Sequence, residues 1–110
     1  MVTAGRYFVW FKTSIGEGTG VAEFLADGQL QGTDSAFSYN GTWNLSGGRL
    51  HAKLSAKRTT AGPPGVFGID ELDLTVTEYA IDGDSVMCAG FAKQSPGLRM
   101  EVALTRVPDE

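Results

Sequence analysis

The chain has 110 residues, 42% of them hydrophobic and 20% charged, and a net charge of −4. That length gives one modest core, so residues 1–110 are read as a single domain, and the composition excludes a disordered tail. The acidic balance leaves no basic face for nucleic acid, no apolar run approaches the roughly 20 residues of a membrane helix, and a single cysteine, Cys88, excludes an internal disulfide.

Fifteen glycines against four prolines suit many tight turns between strands. Residues 6 to 12 are the first expected strand and residues 18 to 26 the second. Near their junction, Gly16-Glu17-Gly18-Thr19-Gly20 lacks the Lys-Ser/Thr ending of a phosphate loop and precedes a strand. Its glycines are therefore expected to mark a bulge or a close backbone approach. Asp27-Gly28 turns the chain into a short third strand, Gln29 to Gly32. In residues 37 to 45, Phe37, Tyr39, Gly41, Trp43 and Leu45 alternate with Ser38, Asn40, Thr42 and Asn44. Only an extended chain separates those sets onto two faces.

Ser46-Gly47-Gly48-Arg49 supplies the glycines of a hairpin turn into residues 50 to 57. There Leu50, Ala52, Leu54 and Ala56 oppose His51, Lys53, Ser55 and Lys57. Residues 59 to 68 contain two prolines and three glycines, which prevent a regular element. They are expected to form a surface loop whose Val66 and Phe67 cap one end of the fold, the alternative being a lid or a partner-contacting loop. Leu72, Leu74 and Val76 mark the sixth strand, and Asp82-Gly83-Asp84 turns into the seventh, residues 85 to 93. Ser95-Pro96-Gly97 is expected to turn into the last strand, carried by Leu98, Met100, Val102 and Leu104. Eight strands joined by short turns predict an all-β fold, an eight-stranded up-and-down antiparallel β-barrel. A two-sheet sandwich is the competing architecture.

The residue types of catalysis are not gathered by this pattern. His51 is the sole histidine and falls on a polar strand face, and no HxxxH, CxxC or HExxH spacing occurs. Asp70, Glu71 and Asp73 read as solvated carboxylates rather than paired acids. The expectation is a protein that is not an enzyme and uses no cofactor or metal. With no basic-then-apolar leader at Met1 to Arg6, the cytoplasm is the expected location.

Two strands are apolar on both faces. Tyr7, Val9 and Phe11 oppose Phe8 and Trp10 in the first; Met87, Ala89 and Phe91 oppose Val86 and Cys88 in the seventh. A closed barrel has one interior, so one set from each must lie outside. Phe8, Trp10, Val86 and Cys88 are expected to form an outer patch for a homodimer or another protein partner. Tyr7, Phe11, Phe37, Tyr39, Trp43, Leu50 and Leu54 are expected inside. They would either fill the lumen, which strands this short favour, or line a pocket for one small apolar ligand.

Gly5-x-Tyr7-x-x-x-Phe11, Gly16-Glu17-Gly18, Asp27-Gly28 with Gly32 and Asp34, and Tyr39-Asn40-Gly41 together resemble the GrlR-type family, which contains negative regulators of bacterial type III secretion. The resemblance covers about the first 45 residues. It implies a small lipocalin-like barrel that dimerises and acts by binding a transcriptional activator. The acidic run through which the family's regulator makes that contact has no counterpart here, where Ser46-Gly47-Gly48-Arg49 holds no acid. The functional expectation is a GrlR-like regulator working by protein–protein binding. The alternative is a carrier of a small hydrophobic ligand.

Overall fold

A computed structural model describes residues 2–108. Its strands are β1 (Gly5–Thr13), β2 (Gly16–Phe24), β3 (Gln29–Asp34), β4 (Phe37–Ser46), β5 (Arg49–Arg58), β6 (Glu71–Asp82), β7 (Ser85–Ala92) and β8 (Ser95–Arg106). Each pairs antiparallel with the next, and β8 returns to β1, so the sheet closes into an up-and-down barrel. Closure satisfies the backbone groups that a sandwich would leave at its edges.

The alternation in the sequence becomes the division between inside and outside. Leu50, Ala52 and Ala56 of β5 are buried, as are Leu72, Leu74 and Val76 of β6. Register follows from these rows, because a one-residue slip would turn each row out to water. Leu54 sits opposite Leu74, and Ala52 opposite Val76. Gly47 (φ 60°) and Gly48 (φ 78°) make the β4–β5 turn in the left-handed conformation that glycine tolerates best.

Several boundaries differ from the sequence reading, among them the end of β2 at Phe24 and of β3 at Asp34. β2 begins at Gly16, because Lys12↔Glu17 and Thr13↔Gly16 extend its pairing with β1. β6 runs on to Asp82, past a register shift between Glu78 and Ala80, and Tyr79 keeps the outward alternation of Asp73, Thr75 and Thr77. Ser95-Pro96-Gly97 does not turn. The chain reverses at Lys93-Gln94, and Pro96 and Gly97 lie within β8 opposite a bulge between Gly90 and Ala92. The β1 pairing with β8 stops at Glu101, so Pro96 is on an unpaired stretch where its missing N–H costs nothing.

A second correction concerns β7. Val86 and Cys88 are 8% and 0% exposed and point into the barrel, not outward. They pair with Leu104 and Val102 of β8, both core residues, while Met87 and Ala89 occupy the outer face. Burial, then the nearby Glu78 carboxylate, pushes the Cys88 thiol up to about 12. A thiol so placed is inert at neutral pH.

One end of the barrel is plugged. The Tyr7 and Phe24 rings meet edge-to-face with centroids 5.0 Å apart, and Phe24 meets Trp43 the same way at 5.4 Å. Their polar tips are used: the Tyr7 hydroxyl donates to Thr3 O at 2.9 Å, and Trp43 Nε1 donates to Leu25 O at 2.9 Å. The buried Glu78 carboxylate at this end accepts a hydrogen bond from Leu50 N at 3.1 Å.

Candidate ligand cavity

Beyond the plug the barrel is hollow. The inward rows of β2, β3 and β5 carry Gly20, Ala22, Gly32, Ala52 and Ala56, which send little or no side chain toward the axis. At Gly20 and Gly32 the backbone demands this. A Cβ on Gly20 would lie 2.6 Å from Thr33 O, and one on Gly32 2.8 Å from Val21 O. The same omission that lets β2 and β3 approach leaves a cavity of about 470 Å³. That volume is in the range of small-molecule sites, and the expectation of a filled lumen is overturned.

Of the residues expected inside, Phe11, Phe37, Tyr39, Leu50 and Leu54 line this cavity. Tyr7 and Trp43 point inward but belong to the plug, nearer the closed end, and do not line it. Val9, Leu74, Val76, Met100, Val102 and Leu104 complete an apolar wall.

The opposite end holds the mouth. β3 stops at Asp34, opposite Gly20, so residues 16 to 19 of β2 extend without a β3 partner. Glu17, Ser35, Pro63 and Pro64, all exposed, reach the cavity rim there. The connection after β5 closes over this side. As expected from the sequence, Val66 is half-buried and Phe67 is 6% exposed. Thr13 Oγ1 donates to Val66 O, which fastens the loop to β1.

Arg58 fastens the rest. Its Nε donates to Asp70 Oδ1 at 2.7 Å, Nη1 to Thr60 O at 3.0 Å and Nη2 to Pro63 O at 2.8 Å. The guanidinium also sits 4.9 Å from the centre of the Phe37 ring, itself a cavity wall. An Arg fork meeting a carboxylate and two carbonyls while covering an aromatic face holds the loop by several contacts at once. Asp70 is exposed, as a solvated carboxylate should be, and through Arg58 it also anchors this strap.

One polar pair faces inward at the mouth. Asp34 Oδ1 accepts from Ala36 N at 2.8 Å and Phe37 N at 2.7 Å, and Oδ2 accepts from the Tyr39 hydroxyl. Burial first, and then the hydrogen bond and charge of Asp34, hold the Tyr39 phenol well above its ordinary value, so it keeps its proton at any physiological pH. Among the described residues, no group of three His, Cys, Asp or Glu side chains is placed to hold a metal ion.

Outside, Phe8 and Trp10 lie together on β1 as the pattern predicts. Phe8 is 53% exposed and neighbours Val21, which is 38% exposed. Trp10 is half-buried and donates its Nε1 hydrogen to Glu17 Oε2 at 2.9 Å. With Thr19, Ala103 and Thr105 they border a shallow groove. No family model matches the chain, and no curated protein matches it in sequence.

Proposed function

We propose that this protein binds one small apolar molecule inside its barrel, without chemistry on it. The observation that carries the reading is the 470 Å³ apolar cavity, plugged at one end and strapped by a single loop at the other. Taking a water's share of about 30 Å³ as a measure, the space holds roughly 16 non-hydrogen atoms. Ligands of that size gain about 0.3 kcal/mol or more per atom, which places the dissociation constant at sub-millimolar or tighter. At a hundredfold excess over that constant the native state gains about 2.7 kcal/mol. A panel of uncharged alkyl and aromatic compounds should therefore include some that raise the melting temperature by roughly 10 °C or more. If no compound in the panel shifts it, the reading fails.

A second reading rests on the outer face of β1 and β2. Exposed Phe8 beside Val21 and Trp10 is an apolar patch of the kind that interfaces use. It supports a protein contact, a second copy or a GrlR-type partner, independent of the interior. Trp10→Asp should abolish concentration-dependent association in light scattering and leave the melting curve nearly unchanged. A strict monomer at high concentration removes the homodimer.

A further inference from the structure

We infer that the cavity selects ligands whose polar end donates a hydrogen bond, an apolar alcohol or amine, and rejects carboxylates; this rests on the interior-binding reading above. The inference starts from which hydrogen is already committed. The Tyr39 hydroxyl lines the cavity and donates to Asp34 Oδ2. Its proton is therefore engaged, and what its oxygen still offers is lone pairs. Asp34 Oδ1 is taken by Ala36 N and Phe37 N, and an ionised carboxylate accepts only. The inward polar pair thus presents acceptors and no donor.

Charge points the same way. The charged side chain whose carboxylate belongs to the inward polar pair is Asp34, an acid, while the Glu17 carboxylate turns outward to Trp10 Nε1. Arg58 is a cation at the mouth, over the Phe37 ring, but its fork is spent on Asp70, Thr60 O and Pro63 O. An incoming carboxylate would meet a like charge, with no cation to offset it, in a site of low polarity where charges are weakly screened. A hydroxyl or ammonium would instead donate to Tyr39 or Asp34 while its hydrocarbon fills the space beside Ala52 and Ala56.

The test uses three ligands of ten carbons each, 1-decanol, nonyl methyl ether and decanoate, titrated by calorimetry at pH 8. The alcohol should bind about three- to tenfold tighter than the ether, the worth of one net hydrogen bond. Decanoate should bind more weakly than either. Asp34→Asn keeps the acceptor for Ala36 N and Phe37 N but presents an N–H to the Tyr39 oxygen, which frees the phenol proton to donate. In that variant the alcohol should lose its advantage over the ether, because both oxygens accept from the phenol, and decanoate should regain at least tenfold. Tyr39→Phe should keep the wild-type order, because the released Asp34 oxygen still accepts. Equal binding of alcohol and ether by the wild-type protein, or a preference for decanoate, overturns the donor rule and leaves interior binding standing. Failure of all three to bind overturns both.

Discussion

Ala56→Leu separates a hollow barrel from a filled one by the sign of its effect. Ala56 is 2% exposed, faces inward between Tyr39 and Leu72, and borders the cavity. Leucine adds three carbons at that point. Placed in empty space lined by apolar groups, they contribute about 0.8 kcal/mol each, or roughly 2.4 kcal/mol. Ordering the longer side chain costs about 0.5–1 kcal/mol, which leaves a gain of about 1.5 kcal/mol. For a domain of this size the melting temperature should rise by roughly 6–10 °C. In a packed core the same substitution would force neighbours off their rotamers and cost about 1–3 kcal/mol instead. Differential scanning calorimetry of the unliganded variant reads the sign directly. A fall of several degrees with the fold intact would refute the hollow interior, and with it the basis for ligand binding.

Two further outcomes follow from named contacts. Arg58→Gln removes the charged fork beneath the loop and its contact with Phe37; it should cost about 1–3 kcal/mol, and hydrogen exchange should accelerate at residues 59 to 70 more than in the β1–β8 ladder. Unchanged exchange in that loop would mean Thr13 and Phe67 hold it alone. The Cys88 thiol, raised from 9.0 to about 12 in the native state, ionises first in the unfolded chain. Its contribution is therefore complete below pH 9 and lost as pH climbs toward 12, with Tyr39, also raised, adding to the loss from about pH 10. Melting temperature against pH should fall through that window, less steeply in Cys88→Ala; identical slopes would show that Cys88 exerts no linkage.

The barrel was legible because burial on one face writes itself as a period of two. Phe37 to Leu45 and Leu50 to Ala56 needed no partner to reveal which side was dry, and paired glycines such as Gly47-Gly48 located a turn. The errors came where period two was carried by both faces or by neither. Along Val86 to Phe91 both rows are apolar, and what decides between them is the register with Val102 and Leu104, contacts made across more than a dozen residues of chain. Ser95-Pro96-Gly97 carries turn chemistry, yet an unpaired strand stretch opposite a bulge accepts the same residues.

The cavity was harder to foresee because it is made of what is missing. The interior residues Phe37, Tyr39 and Trp43 could by their size either fill the lumen or line a pocket, and strands this short favour filling. That preference gives no weight to Gly20, Gly32, Ala52 and Ala56, whose small size decides how far those rings must reach. The distribution along the barrel axis then matters more than the count. Tyr7, Phe24 and Trp43 gather at the end where β1 begins and β4 finishes, and there they meet ring to ring. Toward the other end the glycine-bearing half of β2 runs past the end of β3, and the loop carrying Val66 comes near Gly16 there. A solid end and an open end on one sheet place the mouth beside the residues that Arg58 and Thr13 hold in place. The strap and the Tyr39–Asp34 pair stand together at that entrance, so the contacts that govern access lie beside the ones that read a ligand's polar end.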